Sequence, residues 1–422
     1  MKTQILKVPL TGDDADSSFL GRWATPDDND LTSWVVPTTS PSPVLDPLRT
    51  AANHLRTTSI PVAFPTETVY GLGADATRSS AVRGIYTAKG RPSDNPLIVH
   101  IPDLSMLRRL LSPSSPGNDP IPAIYHPLIA RFWPGPLTIL LPLPSPSPLA
   151  PEVTASLSTF GVRMPASALA RTLISLVGSP LAAPSANAST RPSPTTASHV
   201  YDDLQGRIEL VIDGGACAVG VESTVVDGLC DPPAVLRPGG VSLEEIRECE
   251  GWERVERGYE DKAQEGREAP RAPGMKYKHY SPRARVVLFE KGGEREGVGQ
   301  EEMEGLVGKK TVAVIRTGGW GRECVEGFGV VVKDVASKEG GNEGIEVGEG
   351  ELVDRGGRKV ARFLDVNLGK DVKGVAHGLF AALRELDRLG ADVIFVEGVD
   401  DRHDMAEAVM NRLRKAASEI RA

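Results

Sequence analysis

Short hydrophobic runs alternate with helical patterns over the first 250 residues. Helical periodicity occurs over Val44–Arg56, Ser79–Thr87 and Ala166–Leu176. Buried strands are predicted at Ile60–Phe64, Leu97–Ile101, Leu137–Leu141, Leu181–Ala183, Leu210–Ile212, Thr224–Val226 and Ala234–Leu236. Short strands that alternate with helices predict an α/β domain built on a twisted mixed sheet.

The last third of the chain repeats this alternation on a smaller scale. Strands are predicted at Arg285–Phe289, Thr311–Ile315 and Val393–Val396, with Gly/Glu-rich loops through residue 358. Amphipathic helices are predicted over Val375–Leu389 and Ala406–Ile420. This pattern predicts a small, Rossmann-like, open α/β domain at the C-terminus.

Composition shifts divide the chain into four predicted segments. Residues 1–44 are rich in Pro, Ser and Thr and are predicted to be a flexible leader. Residues 45–246 form the larger domain, and residues 283–422 form the C-terminal domain. Residues 247–282 are predicted to be a linker, because Glu248–Arg271 is highly charged. The linker ends in the sequence APGMKYKHYSP at Ala272–Pro282, whose residue types are too specific for a spacer.

Charge and cysteine content narrow the function classes. The chain has 422 residues, 40% of them hydrophobic, and a formal net charge of -8. An acidic chain is unfavourable for general binding of nucleic acid, so an RNA contact would need a local basic patch. No apolar run reaches the ~20 residues that cross a membrane. The 4 cysteines form no Cys-x-x-Cys pair and no secretion signal is recognised, so a cytoplasmic location is predicted.

The most informative segment is KGRPSDNPLIVH at residues 89–100. It places Lys89, Arg91 and Asn95 on a Gly/Pro-rich loop before a buried strand that ends in His100. Two cations and an amide on one anchored loop suit phosphate or carboxylate oxygens. A solvated basic turn and a structural histidine are the alternative interpretations.

Other candidate residues also fall at predicted strand ends. They are Thr68 in PTETVYGLGA, Arg163 in GVRMP, Ala183 and Ser185 in APSAN, Ser193 in RPSPT, Ser223 in GVESTVVD and Arg237 in LRPGG. A buried arginine needs a carboxylate, from the protein or from a substrate. Each of the other segments could be a plain loop, a helix cap or, for Arg237, a surface ion pair. Together they indicate one ligand site, because open α/β sheets bind ligands at strand ends.

Several familiar catalytic patterns are missing from the sequence. There is no Ser-His-Asp order, no HExxH and no Walker A loop, so a covalent nucleophile is not supported. The residues suit binding and polarisation of anions instead. Nucleotidyl transfer needs that combination, because the protein contributes positioning and charge neutralisation.

These motifs resemble those of a known family. PTETVYGLGA, KGRPSDNPLIVH, FWPGPLT, GVRMP, PSAN, GVESTVVD, LRPGG and PGMKYKHYSP are similar to the hallmarks of long, two-domain threonylcarbamoyl-AMP synthases, which have a YrdC-like N-terminal domain. The resemblance implies that L-threonine, bicarbonate and ATP are joined into threonylcarbamoyl-adenylate with release of pyrophosphate. It implies that a separate transferase complex then uses the product to modify adenosine 37 of tRNA, with at most a weak tRNA contact here.

The resemblance also implies roles for individual residues. Lys89 and Arg91 would act on the triphosphate, with Mg²⁺ accompanying ATP and no metal held by the protein. The threonine site would comprise Thr68, His100, Arg163, Ala183 and Ser223. The nucleotide site would comprise Arg91, Asn95, Thr159, Ser185, Ser193 and Arg237, with Tyr280 from a linker that folds over the cavity. The sequence names no general base.

Two departures and two alternatives remain. Ala166 stands where the family usually has a polar residue, and Thr190 stands where it usually has glycine. The first could remove a helix cap and the second could shift the loop that carries Ser193. The alternative functions are an RNA-binding module without synthase activity and a carbamoyl transferase for another acceptor. The sequence assigns no role to the C-terminal domain and no oligomeric state.

Overall fold

The computed structural model describes residues 1–9, 19–25, 30–111, 119–259, 279–291, 297–303, 310–333, 345–402 and 405–421. The chain divides into two compact units. The first unit comprises Met1–Ser189 and Ser193–Tyr277, and the second comprises Thr190–Pro192 and Lys278–Ala422. Among the described residues, no helix combines the length and apolarity needed to cross a bilayer.

The first unit is built on a large mixed sheet. Strands β2 (Arg22–Trp23) and β3 (Trp34–Val35) form a separate hairpin outside this sheet. The strands of the large sheet are, in chain order, β1 (Gln4–Lys7), β4 (Val62–Pro65), β5 (Tyr70–Asp75), β6 (Ile98–His100), β7 (Leu137–Pro142), β8 (Thr159–Arg163), β9 (Leu181–Ala182), β10 (Leu210–Asp213), β11 (Thr224–Asp227), β12 (Ala234–Arg237) and β13 (Glu256–Arg257). The spatial order is β1-β10-β4-β5-β9-β6-β8-β7-β11-β12-β13. Parallel pairs such as β6 with β8 mix with antiparallel pairs such as β7 with β8, which confirms the predicted mixed sheet.

Helices connect many of these strands. They are α1 (Leu45–Thr57), α2 (Ser79–Lys89), α3 (Leu104–Leu111), α4 (His126–Phe132), α5 (Pro151–Thr154), α6 (Ala168–Val177), α7 (Ala197–Leu204) and α8 (Leu243–Arg247). Helix α2 ends at Gly90, which adopts the left-handed conformation that glycine tolerates. Helix α6 starts two residues later than predicted and is capped by the Ser167 side chain. Ala166 therefore removes no cap.

The start of the chain corrects the prediction of a flexible leader. Gln4–Lys7 forms an edge strand, β1, that pairs in parallel with β10. Thr3 supports this pairing, because its hydroxyl donates to the Ile208 carbonyl at 2.6 Å. The sequence hid this strand because its partner lies about 200 residues away. Residues 10–18 and 26–29 of the predicted leader lie outside the described residues.

The predicted linker begins too early. Trp252 is fully buried and its indole N–H donates to the Ile124 carbonyl at 2.7 Å. Glu256–Arg257 forms β13, which pairs with β12. Residues 248–259 thus belong to the first unit, because a buried tryptophan outweighs the charged neighbours that suggested a linker. Residues 260–278 lie outside the described residues.

The segment PTETVYGLGA contains a strand that the sequence analysis missed. Tyr70–Asp75 pairs antiparallel with β4. Gly73 makes room for a protein side chain, since a Cβ there would lie 2.6 Å from Cε1 of Phe64. Gly73 therefore accommodates the Phe64 ring within the sheet.

Two hydrophobic clusters identify the faces of the first sheet. The main core contains Val99, Ile139 and Val226. Their neighbours Ile98, Leu140, Val225 and Leu236 form a separate small cluster. Successive strand residues point to opposite faces, so the small cluster covers the face opposite the main core. We call this surface the cluster face.

The second unit is an open α/β domain, as predicted. Its strands are β14 (Arg285–Phe289), β15 (Thr311–Arg316), β16 (Gly329–Lys333), β17 (Gly348–Val353), β18 (Lys359–Asn367), β19 (Val393–Glu397) and β20 (Glu419–Arg421), in the order β16-β17-β18-β15-β19-β14-β20. Its helices are α9 (Gln300–Met303), α10 (Val372–Arg388) and α11 (Ala406–Ala416). Strands β16–β18 form an antiparallel arm, and β16 and β17 occupy part of the region through residue 358 that was predicted as loops. The predicted last helix is wrong at its end, because Glu419–Arg421 pairs with β14 as a strand.

A carboxylate closes the crevice at the carboxyl ends of β15 and β19. Glu397 Oε2 accepts from the backbone N–H groups of Thr317 and Gly318 at 2.7 and 3.1 Å. Its Oε1 accepts from Gly319 and Trp320 at 2.6 and 3.1 Å. Such backbone concavities bind anions, and this one lies where Rossmann-like sheets place ligands. Here the protein's own side chain is the anion.

Replacing Glu397 by alanine should destabilise the second unit by about 3 kcal/mol, because four N–H groups lose a buried charged acceptor. Urea unfolding followed by Trp320 fluorescence would measure the change in free energy of unfolding. The other four tryptophans would be replaced by phenylalanine in the parent protein and in each variant. Glu326→Ala, at an exposed glutamate of the same unit, is the control. Equal stability of the two variants would contradict this account.

Candidate active site

Strand β8 carries three residues of the site along one face. Thr159, Gly161 and Arg163 alternate with the buried Phe160 and Val162. Gly161 pairs with Ile98 and Leu140, which belong to the cluster face. Four residues of strand separate Thr159 from Arg163 by about 13 Å. The backbone at Gly161 lies between them without a side chain, so a ligand can lie across the strand.

Arg163 forms the centre of one end of this face. Its exposed fraction is 3%, and its Nε donates to the Gly135 carbonyl at 3.0 Å. One terminal nitrogen donates to the Thr68 hydroxyl at 2.9 Å, and the other pairs with Glu67 at 2.5 Å. Three of its five N–H groups thus have partners among the described residues. The remaining two suit a substrate carboxylate.

Glu67 is a site residue that the sequence analysis missed. One carboxylate oxygen pairs with Arg163, and the other is buried with no hydrogen-bond partner among the described residues. An acceptor buried without a partner is costly, so a donor from a ligand would stabilise it. Its position between two threonines, immediately after the first predicted strand, was a signal that could have identified it.

His100 lies directly opposite Arg163 in the register of β6 and β8. Burial, with a smaller contribution from the Arg163 charge, lowers the pKa of His100 to about 3. The imidazole is therefore neutral near pH 7 and adds no positive charge beside Arg163. Its Nδ1 lies 3.2 Å from the Ile98 carbonyl, which leaves it a polar but uncharged wall of the site.

Ser223 and Arg237 form a second buried group. Arg237 is 5% exposed, and its Nε and one terminal nitrogen donate to the Ser223 carbonyl at 3.1 and 2.9 Å. The same terminal nitrogen lies 3.1 Å from the Ser223 hydroxyl. That hydroxyl also contacts Thr138 at 2.8 Å, on the strand next to β8. The interpretation of Arg237 as a surface ion pair is wrong.

Lys89 holds the loop that follows Ala183. Its ammonium group donates to the carbonyls of Ser185 and Asn187 at 2.5 and 2.6 Å. The Ser185 hydroxyl in turn donates to the Asn187 side chain at 2.6 Å. Lys89 is buried, so it is not the solvated basic residue of the alternative interpretation. Its charge orients Ser185 and raises the positive potential there.

Asn95 supplies a buried donor beside Arg91. Its Oδ1 accepts from Arg91 at 2.6 Å. Its Nδ2 is buried and has no partner among the described residues. Both residues precede β6, and the strand register places Thr159 level with Pro96. Asn95 and Thr159 therefore lie toward the end of the face that is opposite Arg163.

Backbone contacts bring the remaining predicted residues of this unit toward the same strands. Ala183 donates its N–H to the Ile98 carbonyl at 3.0 Å, and Gly220 donates to the Thr68 carbonyl at 3.0 Å. The Ser193 hydroxyl is buried and donates to Glu222 at 2.5 Å. Contacts of this kind join segments that are far apart in the sequence.

Tyr280 lies in the second unit. Its ring stacks on Phe380 with centroids 5.2 Å apart, and Arg412 lies 5.8 Å from its ring centroid. Thr190, also assigned to that unit, has a φ of 76°. A β-branched residue is strained in this region, which explains why glycine is usual there in the resembled family. The linker residues 272–278 lie outside the described part of the chain.

The geometry defines a class of protein. An arginine fork and a neutral histidine lie at one end of a sheet face, and amide and ammonium donors lie toward the other. The first unit is a ligand-binding α/β domain suited to hold a small carboxylate beside phosphate groups.

Comparisons with known proteins agree with that class. The family profile described as "Telomere recombination" matches residues 57–239, and "Threonylcarbamoyl-AMP synthase, C-terminal domain" matches residues 241–418. The threonylcarbamoyl-AMP synthase of Schizosaccharomyces pombe is 47% identical over 401 residues, which cover 90% of each chain. That of Bacillus subtilis is 42% identical over 385 residues, which cover 91% of this chain and 97% of that protein.

A solved structure is similar to this chain in both sequence and fold. Pyrococcus abyssi Sua5 complexed with L-threonine is 40% identical, with a TM-score of 0.68, and covers 89% of this chain and 96% of that chain. This chain belongs to the threonylcarbamoyl-AMP synthase family.

Proposed function

We propose that this chain is an L-threonylcarbamoyladenylate synthase, which joins L-threonine, bicarbonate and ATP and releases pyrophosphate. The observation that carries the proposal is the row of Thr159, Gly161 and Arg163 on the cluster face of β8. The buried guanidinium of Arg163, at one end of this row, is suited to bind a carboxylate. Membership of the threonylcarbamoyl-AMP synthase family indicates which reaction these residues serve.

The amino acid binds at the Arg163 end. Arg163 takes the threonine carboxylate with its two remaining N–H groups, beside Thr68 and His100. The buried, unpartnered oxygen of Glu67 accepts a hydrogen bond from the threonine ammonium group. The Ala183 carbonyl and the Ser223 hydroxyl add polar contacts to the rest of the amino acid.

The nucleotide binds toward the other end. Arg91 and the buried Asn95 amide meet the phosphates and sugar, and Lys89 raises the positive potential of that region. Thr159, Ser185, Ser193 and Arg237 complete the nucleotide contacts that we propose for the first unit. Mg²⁺ would enter with ATP, because it prefers phosphate oxygens as ligands.

The reaction needs positioning more than covalent catalysis. The threonine amine loses a proton and its nitrogen forms a bond to the carbon of bicarbonate, with loss of water, to give a carbamate. A carbamate oxygen then attacks the α-phosphorus of ATP, and the bond to pyrophosphate breaks. The cationic and amide donors neutralise the charge that collects on the phosphates.

The product has a place in tRNA modification. A separate transferase complex uses the adenylate to modify adenosine 37, and any contact of this chain with tRNA is weak. The cysteines are free thiols, which suits a reducing compartment, and we assign the chain to the cytoplasm.

Pyrophosphate release measured with each of the three substrates omitted in turn tests the proposal. We expect release only when L-threonine, bicarbonate and ATP are all present. Tight RNA binding without threonine-dependent release would favour an RNA-binding module instead. Turnover of carbamoyl phosphate in place of threonine and ATP would favour a carbamoyl transferase for another acceptor.

Replacing Gly161 by leucine should raise KM for both threonine and ATP by about tenfold, because the new side chain occupies the face between the two ligands. Gly161→Ala adds only a Cβ, which would lie 3.2 Å from Cγ2 of Thr138 and needs only a small shift of that side chain, so it should show a smaller effect. Steady-state kinetics of both variants provides the graded comparison. Unchanged KM values for the leucine variant would mean that no ligand crosses β8.

A further inference from the structure

The hairpin of β2 and β3 carries a tryptophan on each strand. The rings of Trp23 and Trp34 pack edge to face with centroids 5.1 Å apart. Gly21 is required beside them, because a Cβ there would lie 2.5 Å from Nε1 of Trp34. The Trp34 indole N–H donates to the Thr172 hydroxyl on α6 at 3.0 Å. We call this element the Trp hairpin.

A buried arginine lies against the Trp hairpin. Arg171 on α6 is 6% exposed. Its guanidinium carbon lies 4.2 Å from the ring centroid of Trp34 and 5.2 Å from that of Trp23. Burial lowers the pKa of Arg171 to about 10, and Glu67 opposes that effect, so the guanidinium keeps its charge near pH 7. Aromatic faces stabilise such a desolvated cation.

The polar end of Arg171 clamps the turn after Arg163. One terminal nitrogen donates to the carbonyls of Pro165 and Ala166, both at 2.8 Å. Pro165 and Ala166 follow Met164, which is the residue after Arg163. The path of the backbone after Arg163 is therefore held by the Arg171 guanidinium, which the Trp hairpin covers.

The same hairpin holds the turn after His100. The Trp34 backbone N–H donates to Asp103 Oδ2 at 3.1 Å. The preceding segment also contacts this turn, because Leu104 donates its N–H to the Leu31 carbonyl at 2.9 Å. His100 and Arg163 are opposite one another in the sheet, so one hairpin secures both turns that leave the threonine end.

We propose that the Trp hairpin and Arg171 form a brace that positions Arg163 and His100 for threonine. Arg171 is a positioning residue, because it acts through the turn that follows Arg163. This inference rests on the proposed function, since it names what sets the affinity of that site for its amino acid.

Replacing Arg171 by methionine tests the brace. The methionine fills much of the space but cannot donate to the Pro165 and Ala166 carbonyls. We expect KM for threonine to rise about tenfold while KM for ATP stays within about twofold, and calorimetry should show the same loss of threonine affinity. Arg171→Lys, which keeps the charge and a donating nitrogen but lacks the planar guanidinium, should fall between wild type and methionine.

Val177→Ala is the matched control, because Val177 is buried at the opposite end of α6. It should lower thermal stability without changing KM for threonine. A methionine variant that loses stability but keeps its threonine KM would reduce Arg171 to a packing role and overturn the proposal. If that variant does not fold, Asp103→Asn tests the other arm of the brace by the same measurements, and an unchanged threonine KM there would overturn it too.

Wild-type measurements separate this inference from the proposed function. If the wild-type protein releases no pyrophosphate with threonine but binds threonine in the calorimeter, the proposed function fails while the brace is still tested by affinity. If wild type binds no threonine at all, both fail. Normal turnover with equal threonine affinity in wild type and Arg171→Met rejects the brace alone.

Discussion

Replacing Arg163 by lysine should raise KM for threonine about 100-fold, which corresponds to about 3 kcal/mol of lost binding. Lysine keeps the positive charge and can still pair with Glu67, so the buried carboxylate is not left alone. What it loses is the planar fork that contacts Gly135 and Thr68 and that we propose takes the substrate carboxylate. Steady-state pyrophosphate release over a range of threonine concentrations measures the effect.

Arg207→Lys is the control for this prediction, because Arg207 is an exposed arginine of the same unit. It should leave KM for threonine unchanged. If Arg163→Lys also retains the wild-type KM, the carboxylate binds elsewhere and the threonine end of the site is assigned incorrectly.

Replacing Lys89 by methionine should lower adenylate formation about 1,000-fold, or about 4 kcal/mol in the transition state. The change removes a charge from the nucleotide end and releases the carbonyls of Ser185 and Asn187, so the loop that carries Ser185 loses its position. Pyrophosphate release at saturating threonine and ATP measures the loss.

Calorimetric binding of threonine distinguishes a local effect from general damage. Lys89→Met should retain threonine affinity, because Lys89 acts on the other end of the face. Lys7→Met, at an exposed lysine on the edge strand β1, is the matched control and should be fully active. Loss of threonine binding in Lys89→Met would show that Lys89 supports the whole fold rather than the nucleotide end.

Patterns of alternating residues predicted much of the sheet correctly. The strands β6, β7, β10, β11 and β12 match the predicted runs to within about two residues. These strands lie between the two edge strands of the sheet, are largely buried and are rich in Val, Ile and Leu, so the local pattern alone specifies them. The convergence of Thr68 and Arg163 also followed from their strand-end positions.

Other elements depended on contacts that no local pattern contains. Strand β5 was missed because Gly73 accommodates the Phe64 ring, and β1 was missed because it pairs with a strand far along the chain. Strands β16 and β17 were missed because the region through residue 358 that contains them is rich in Gly and Glu. Glu67 was overlooked because an acidic residue in a turn is ordinarily solvated, whereas this one pairs with Arg163.

The carboxylate of Glu397 has a consequence for how the second unit depends on its surroundings. A Rossmann-like sheet with an empty phosphate loop gains stability when cellular nucleotide is plentiful and loses it under starvation. In this unit the counter-charge is covalently part of the chain, so its stability should not follow the ATP concentration. Added ATP should therefore leave hydrogen exchange at the amides of residues 317–320 unaffected. At the proposed nucleotide site, around Asn95 and Ser185, it should slow exchange.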